Sequence, residues 1–586
     1  MRKLLLIAFF CPIAIAISAQ QNFVVDRNFG SACGSSIVNV AYPDIYELFK
    51  LSNGKYMLIG NTGDAPDRDI LFVRYNANGT IDTDFSPNGV KVFSFDVQND
   101  INSIVYANNK FYIAGHQASS SAFRSFQACV SRFDEDANPD LTFNQTGTLV
   151  EPVFSNPISS SFYTHVIVQP DNKIVCYGFE QSNINGGSNI VVAKRYNDDG
   201  SVDPLFNPGI TYSAFLQGTA NYNSPGVLEE DGSMRFVYPS TSGVFNITSV
   251  KLDSNGDPVS SYGATSNGMN FTSVESVQGG SHHFVESNGK IYGMRQTVGA
   301  TQDIRAYSID EAGNLNAAFS EDGVMDLMDF PGSGGSERPS SIHMDSQNRL
   351  CYFGSAFFDM DRGAFYRLDD SGNYDIELDG DGSFALGEYP YMSFEAIYFE
   401  DDSTIIASFK SSVLLGLLKL KLQTSNVSIS VPDDGVLCVG ESTEISVEIP
   451  SDCYSYAWTL NGEPFGESTP VITVSDAGVY QVVATAGSEA SISQSVEITV
   501  VPCIGIAEIS SNSFRVYPSP AKEYCFISSS SENDQFVMTD LNGKIVKQFK
   551  SLALQHMLDI RDIVSGVYFL KNVSTGMTEK LIICRE

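Results

Sequence analysis

The chain has 586 residues and a formal net charge of −34. A chain of this length is too long to fold around a single hydrophobic core, so we expect several domains. The negative charge repels phosphate backbones and anionic membranes, which argues against nucleic acid as a partner. The 48 Gly, 27 Tyr and 39 Phe, beside a single Trp, favour many short strands and turns.

Residues 1–19, MRKLLLIAFFCPIAIAISA, have the three parts of a secretory signal peptide: a basic start, an apolar run and small residues before a cleavage point after Ala19. No later apolar run is long enough for a transmembrane segment. SVLLGLLKLKL, at 412–422, has about half of the ~20 residues that a helical span needs. We therefore expect an exported chain without a transmembrane anchor, in a compartment where disulfides can form.

Polar two-residue turns between apolar runs recur along the first two thirds of the chain, 55–63 residues apart. Two consecutive turn residues that tolerate positive φ, as in Asn-Gly, are a strong signal for a β-hairpin. The seven turns are Asn53-Gly54, Asn108-Asn109, Asp171-Asn172, Asp231-Gly232, Asn288-Gly289, Gln347-Asn348 and Asp402-Ser403.

A second element follows each of the first six turns, as in RYNANG at 74–79, and ends in a large side chain with an acid or amide usually three residues before it. The large residues are Phe85, Phe143, Phe206, Tyr262, Phe319 and Leu378. The residues three before them are Asp82, Asp140, Asp203, Val259, Asn316 and Asp375. Self-similarity near 60 residues with room for about four strands is typical of a propeller blade.

These repeats resemble the delta-60 repeats of secreted bacterial proteins, over roughly residues 24–422. The seventh repeat stops after its second apolar run, whereas Asp26-Arg27-Asn28-Phe29-Gly30 has the form of a repeat end with nothing before it. We therefore predict an all-β fold that starts with a seven-bladed β-propeller of roughly 58-residue repeats at 20–422, closed by the N-terminal segment.

Residues 425–502 contain alternating strand patterns, one of them carrying Trp458, and a DAGVYQV segment that fits a tyrosine corner at Tyr480. This region resembles an immunoglobulin-like β-sandwich. It departs from the antibody pattern because Val482 stands at the position of the second core cysteine. A Cys438–Cys503 disulfide at one end of the sandwich is the pair that this topology would allow.

Residues 514–586 resemble the type A C-terminal sorting domain of the type IX secretion system of Bacteroidetes-type bacteria, which would form a small C-terminal β-sandwich. Ser519 replaces the asparagine of the family's V-Y-P-N-P-A pattern. The residues that carry the resemblance are Tyr517, Pro518, Pro520, Asp540, Gly543, Gly566, Tyr568 and Lys580. The resemblance implies that the secretion machinery is a partner and that the protein reaches the cell surface or the medium.

Candidate chemistry in the sequence is sparse. Glu377, Asp379 and Asp381 alternate as in a calcium loop, although a polar blade turn explains them as well. His282 and His283 are adjacent, so on a strand they point to opposite faces and would not share a metal. No hydrolase or zinc-protease motif occurs, and we predict no catalytic residues, no metal and no cofactor, with calcium at this turn as the alternative.

The sequence favours a non-enzymatic binding or adhesion protein. In this interpretation the propeller is the platform for an extracellular protein or glycan ligand, and the last domain is the export signal. The alternative is an extracellular hydrolase or lyase acting on polysaccharide, with carboxylates in the propeller funnel. Two carboxylates about 5–9.5 Å apart in a central cleft would favour glycoside hydrolysis.

Overall fold

The structure is a computed structural model, and it describes the following parts of the chain. These are residues 21–31, 33–64, 68–94, 97–118, 125–152, 159–182, 189–206, 212–214, 226–240, 246–263, 268–274, 283–297, 303–328, 337–358, 360–386, 393–424, 429–447, 454–466, 468–486, 489–492, 495–502, 514–529 and 532–585. They contain 45 strands, one 3-10 helix at Pro432–Gly435 and no α-helix, which confirms the all-β class. Within these ranges no helix has the length and apolarity to cross a bilayer.

The chain divides into two compact units. The first comprises residues 1–435 and 442–499, and the second comprises residues 436–441 and 500–586. The domain boundaries predicted between 422 and 425 and between 502 and 514 stay predictions.

Within the described ranges the first compact unit contains six four-stranded antiparallel sheets, each formed by four strands that follow one another in the chain. The first three contain β3 Asp44–Lys50, β4 Tyr56–Thr62, β5 Asp69–Tyr75 and β6 Val90–Phe93; β7 Asn99–Ala107, β8 Lys110–Ala118, β9 Phe126–Asp134 and β10 Thr148–Val150; and β11 Ser159–Val168, β12 Ile174–Ser182, β13 Asn189–Tyr196 and β14 Tyr212–Ala214. The next three contain β15 Val227–Leu228, β16 Met234–Ser240, β17 Asn246–Leu252 and β18 Met269–Ser273; β19 His283–Ser287, β20 Lys290–Gln296, β21 Ile304–Ile309 and β22 Val324–Asp326; and β23 Glu337–Met344, β24 Leu350–Phe358, β25 Met360–Leu368 and β26 Ser383–Ala385.

The seventh sheet combines strands from both ends of this region. Its consecutive strands are β27 Ser393–Asp401, β28 Thr404–Lys410 and β29 Leu414–Thr424. Two N-terminal strands, β1 Gln21–Val25 and β2 Ser35–Asn39, both pair antiparallel with β29. The N-terminal segment therefore supplies the last strands of a sheet whose other strands lie almost four hundred residues later.

The predicted hairpin turns join the first and second strands of their sheets, as β3 and β4 are joined at Asn53-Gly54. Asn108 and Asn109 both have positive φ, of 52° and 58°, as the predicted turn type requires. These turns fix the register in which the two strands pair, so each repeat begins at the same point of its sheet.

The large residue that ends each repeat is buried, and so is Phe29, at 3 % exposure. Phe85 donates its backbone N–H to Asp82, whose own N–H donates to Arg74 on the third strand. Phe29 donates in the same way to Asp26, whose N–H donates to Lys419 on β29. Residues 26–30 therefore share the backbone hydrogen-bond pattern of a repeat end.

The rings of Phe143, Phe206, Tyr262 and Phe319 pack against the turn of the next repeat, and the ring of Phe29 packs against that of the first. A Cβ built on Gly256 would lie 2.6 Å from the ring of Phe206, and one on Gly79 would lie 2.4 Å from the ring of Phe29. Gly30 also donates its N–H to the carbonyl of Asn78. Phe29 thus joins the last sheet to the first in the way that Phe206 joins two consecutive sheets.

Cationic side chains on the third strands reinforce these junctions. Arg132 contacts Asp140 of its own repeat at 2.9 Å and reaches Asp198 of the next repeat at 2.6 Å. Its guanidinium carbon also lies 5.0 Å from the ring centre of Phe143, and the Nζ of Lys419 lies 5.9 Å from that of Phe29. Asp140 is therefore the counter-ion of a cation that bridges two repeats.

The described residues between 429 and 502 form two sheets. One contains β30 Ile429–Ser430, β32 Thr443–Val447 and β35 Val471–Val474. The other contains β33 Ser455–Leu460, β34 Glu463–Pro464, β36 Gly478–Ala486, β37 Glu489–Ile492 and β38 Val496–Val501. The short strand β31 spans Val436–Cys438. Trp458 is 2 % exposed, and the hydroxyl of Tyr480 donates to the carbonyl of Asp476 at 2.9 Å, the hydrogen bond expected of a tyrosine corner.

The described residues after 513 form two sheets around one apolar core. The three-stranded sheet contains β39 Arg515–Tyr517, β40 Tyr524–Ser528 and β43 Gln555–Asp559. The four-stranded sheet contains β41 Gln535–Asp540, β42 Ile545–Lys550, β44 Gly566–Asn572 and β45 Thr578–Ile583.

Candidate functional site

Among the described residues, first strands of neighbouring sheets contact each other at β3 and β7, β7 and β11, β19 and β23, and β23 and β27, and β27 of the last sheet contacts β3 of the first. In an antiparallel sheet, the start of the first strand, the end of the second and the start of the third lie at the same end. Asp44 begins β3, Lys410 ends β28 and Arg68 directly precedes β5. Strand topology thus places these three charged residues together, although the sequence separates them widely.

A cavity of about 670 Å³ opens at this end of the sheets, and we call it the mouth cavity. It draws on four sheets, because Gln98 precedes β7 and Arg338 lies on β23. Its lining comprises Tyr42, Pro43, Asp44, Gly63, Asp64, Arg68, Gln98, Arg338, Ser393, Lys410, Ser411 and Ser412. The volume falls in the range of small-ligand sites, and the lining is mainly polar.

Ion pairs connect the first and last sheets beneath the mouth cavity. Asp44 accepts from Arg68 at 2.7 Å and from Lys410 at 3.1 Å. Arg68 also contacts Asp100 at 3.0 Å, and Lys410 contacts Glu395 at 2.9 Å. This alternation of acids and bases holds the floor of the cavity in one arrangement before any ligand arrives.

The two carboxyl groups on Lys410 have pKa values shifted in opposite directions. Burial works against ionised Asp44, but Lys410 and Arg68 outweigh it and lower the pKa of that carboxyl. Burial dominates at Glu395 and raises the pKa of its carboxyl in spite of Lys410. Burial also lowers the pKa of nearby His116 to about 4, so this imidazole is neutral at pH 7.

Tyr42 is the aromatic residue of the cavity lining. Its side chain is 55 % exposed and its φ is +47°, a left-handed conformation that is uncommon for a residue with a bulky side chain. The backbone is held there by a hydrogen bond from the N–H of Tyr42 to the carbonyl of Ser412, at 3.0 Å. Strain of this kind is concentrated at functional sites.

The residues predicted to form the sorting signal divide into buried and exposed positions. Asp540 and Gly543 form the turn between β41 and β42, where Asp540 accepts from the N–H of Lys544 and Gly543 has a φ of +80°. Tyr568 is buried, and its hydroxyl donates to the carbonyl of Val564. Gly566 begins β44, and Lys580 is exposed on β45. Pro518 and Pro520 each follow a cis peptide bond.

Tyr517 is the exposed aromatic residue of this predicted signal, at 42 % exposure. It lies opposite Phe526 across β39 and β40, and the two rings stack with centres 6.1 Å apart. The predicted signal therefore does not form one site, because several of its residues maintain the fold while Tyr517 and Lys580 face outward.

The acidic residues of the candidate calcium site belong to a turn of the sixth repeat. Glu377, Asp379 and Asp381 lie in one turn after β25, where Asp381 accepts from both the N–H and the hydroxyl of Ser383. Within the described parts of the chain, no group of three or more His, Cys, Asp or Glu is arranged to hold a metal ion.

Some predicted partners fall outside the described residues. His282 is one of them, while His283 begins β19 and is buried. Cys438 takes part in a disulfide, but Cys503 also lies outside the described residues, so their pairing stays a prediction.

The charged residues of the mouth cavity were not singled out by the sequence. Lys410 and Asp44 are 366 positions apart and belong to no motif. A sequence signal for them exists only in retrospect, as polar residues at the ends of apolar strands that the repeat brings to one end of the sheets.

Two family models match parts of the chain. Residues 515–584 match the secretion system C-terminal sorting domain, and residues 51–85 and 169–206 match a domain of unknown function (DUF5122) described as a beta-propeller. No curated protein matches the chain.

The chain is also similar to solved structures at low identity. A protein of unknown function from Dyadobacter fermentans is 12 % identical, with 67 % of this chain and 98 % of that one covered and a TM-score of 0.31. PorZ of Porphyromonas gingivalis, a surface component of the type IX secretion system, is 10 % identical, with coverages of 92 % and 81 % and a TM-score of 0.21. An α-L-arabinofuranosidase from Clostridium thermocellum is 15 % identical, with coverages of 49 % and 94 % and a TM-score of 0.26. With TM-scores below 0.5, these likenesses carry no argument about function.

The C-terminal match defines the class of protein. The chain carries a type IX sorting domain and is exported through that system to the cell surface or the extracellular space. The sorting domain thereby implies an interaction with the secretion machinery.

Proposed function

We propose that this exported protein is a binding protein of the bacterial surface or its surroundings and that the mouth cavity is its ligand site. The observation that carries the proposal is a polar cavity shared by four sheets on a chain that has its own export domain. The ion pairs beneath it order the floor in advance, and a preorganised site binds with a smaller entropic cost.

The platform in this proposal is a seven-bladed propeller closed by the N-terminal segment. Six consecutive four-stranded sheets and a seventh completed by β1 and β2 support it, together with the contact between β27 and β3. Asp26 and Phe29 reproduce the repeat's own hydrogen bonds at the junction. Closure would protect the edges that an open array leaves at its two ends.

The remaining parts of the proposal concern export and spacing. A signal peptide at 1–19 would direct the chain to the periplasm before the sorting domain acts. An immunoglobulin-like domain at 425–502 would separate the platform from the sorting domain, and buried Trp458 and the Tyr480 hydrogen bond support this assignment.

Glycoside hydrolysis is the second candidate function, because two carboxyl groups share one lysine. An oxygen of Asp44 and one of Glu395 each contact Lys410, so these oxygens lie no further than 6.0 Å apart. Their opposed pKa shifts match the division between a base and an acid. The lysine between them favours binding, because it occupies the place where a reacting bond would lie.

An array of glycans and extracellular proteins, probed with the purified exported chain, tests the binding function. We expect one class of ligand to be retained by the unaltered chain and lost by Arg338→Ala, with Leu205→Ala as control because Leu205 is 79 % exposed on a repeat turn. Turnover of a polysaccharide that is lost in both Asp44→Asn and Glu395→Gln would instead establish the enzyme.

Calcium at Glu377, Asp379 and Asp381 stays a prediction. A melting temperature that rises with added calcium in the unaltered chain, and not in Asp379→Asn, would support it. Identical melting with calcium and with a chelator would contradict it.

A further inference from the structure

The charges around the mouth cavity are already compensated within the protein. Arg68 lies between Asp44 and Asp100, and Lys410 lies between Asp44 and Glu395. Three carboxyl groups thus serve two cations. An anionic ligand would have to compete with carboxylates that these cations already contact, and it would gain little net attraction.

The walls offer hydrogen-bonding groups without a strong net charge. Asp64 and Arg338 lie on the wall with opposite charges. Hydroxyl groups come from Ser393, Ser411 and Ser412 at the ends of the strands of the last sheet. Such a lining suits a ligand that both donates and accepts hydrogen bonds at many points, as vicinal hydroxyls do.

The aromatic wall is the second feature. Tyr42 presents an exposed ring to the cavity on a backbone that is held in the left-handed region. An exposed aromatic face in a polar cavity provides the apolar contact that the C–H face of a sugar ring requires. A fixed backbone lowers the entropy lost when the ring is covered.

We propose that the mouth cavity binds a neutral, hydroxyl-rich saccharide that stacks on Tyr42 and hydrogen-bonds to the charged and serine residues of the lining. The inference rests on the binding function proposed above and specifies its ligand class. An acidic glycan and an acidic or basic peptide are the competing occupants, and each would show a different dependence on salt.

The test uses isothermal titration calorimetry of the exported chain with neutral oligosaccharides of several linkages, a polyuronate fragment, and acidic and basic peptides. We expect a neutral oligosaccharide to bind with a Kd that changes less than about twofold between about 50 and 500 mM NaCl, because neither partner releases counter-ions. Binding of the charged probes alone, with affinity that falls steeply with salt, would overturn the inference.

Matched variants at position 42 separate stacking from folding. Tyr42→Phe retains the ring, and we expect it to bind as the unaltered chain does. Tyr42→Asn removes the ring while keeping a residue that tolerates positive φ, and we expect a loss of about tenfold in affinity with unchanged melting. Equal affinity in both variants would contradict the stacking arrangement.

The outcomes also separate this inference from the proposed function. A protein ligand found on the array and lost in Arg338→Ala would leave the binding function intact and overturn the saccharide. Binding of none of the neutral saccharides would overturn the saccharide in the same way. Turnover of a polysaccharide would overturn the binding function itself.

Discussion

At the scale of single residues, the most informative position is Phe29. It belongs to one buried apolar cluster with Ile406, Leu415 and Leu417 of the last sheet and Leu58 of the first. It therefore contributes to the cores of two sheets that are distant in sequence, and its ring fills the space above Gly79 that a Cβ would otherwise occupy.

Truncation of this ring should reduce stability strongly. We expect Phe29→Ala to lower the free energy of unfolding by roughly 3–5 kcal/mol, as measured by urea denaturation, because a buried aromatic ring leaves a cavity. Phe319→Ala, at the equivalent position of an internal repeat, should cost a similar amount, whereas exposed Leu205→Ala should cost almost nothing. A loss for Phe29→Ala as small as that for Leu205→Ala would show that the N-terminal segment is not part of the core.

Glu47 is a second residue with a measurable consequence. It lies on β3 and accepts no hydrogen bond from the described residues, and burial raises the pKa of its carboxyl from 4.5 to about 8. Between these two values the unfolded chain carries the charge while the folded chain holds the proton, so this group lowers stability progressively as pH rises.

Glu47→Gln removes this dependence, because the amide resembles the protonated carboxyl. We expect an increase of about 1 kcal/mol in the free energy of unfolding at pH 7 and no change at pH 4, after allowance for partial exposure. Chemical denaturation at the two pH values checks the difference. Equal effects at both would mean that the carboxyl is charged in the folded protein.

At the scale of elements, the two N-terminal strands complete the last sheet. Both pair with β29, and Asp26 forms an ion pair with Lys421 at 2.8 Å. Because these strands occupy the free edge of the last sheet, their loss would expose that edge and the apolar surface beneath it.

Removal of residues 20–34 should therefore lower the melting temperature and open the region at both ends. We expect limited proteolysis to cut early near the start of β3 and within β27–β29 together, since the proposed closure joins these elements. Replacement of the same residues by a flexible linker of equal length is the control for length. A melting temperature unchanged by the deletion would contradict closure.

Cys438, at the end of β31, gives another element-level prediction. Cys438 is in a disulfide, and we predict Cys503 as its partner. A loop of this length, about 65 residues, would stabilise the domain by about 4 kcal/mol through the entropy of the unfolded chain. Peptide mapping without reduction should recover the two residues in one cross-linked fragment, and recovery of Cys438 with any other cysteine would refute the pair.

At the scale of the whole molecule, the sorting domain differs from the rest of the chain in its net charge. Residues 514–586 contain nine Lys and Arg and eight Asp and Glu, whereas the chain as a whole carries −34. An acidic body favours solubility outside the cell. A nearly neutral terminal domain can approach other surfaces without the repulsion that the body would meet.

Deletion of residues 514–586 should leave the protein in the periplasm, because export through the outer membrane depends on the sorting domain. Fractionation and surface labelling of cells producing the truncated chain provide the measurement. The double variant Asp540→Ala and Gly543→Ala, which disturbs a turn of the domain, should reduce export partially. Normal surface display of the deleted chain would contradict the role of this domain.

The repeat, the all-β class and the sorting domain could be predicted from the sequence alone, because these features depend on local patterns. Turn residues with positive φ, alternating apolar residues and the acid before Phe85 recur at fixed spacing, and each is read within one repeat. The position of Phe29 was also predictable, because a repeat end without a repeat before it can be recognised against the complete copies.

The mouth cavity could not be predicted from the sequence, because it forms only in the tertiary structure. Asp44, Arg68 and Lys410 meet because antiparallel strands return to the same end of their sheets and because the last sheet contacts the first. An ion pair over 366 positions leaves no periodic trace, since each partner obeys only its own strand's pattern. Tyr42 likewise gained its left-handed backbone from a hydrogen bond to Ser412, a contact that no local spacing encodes.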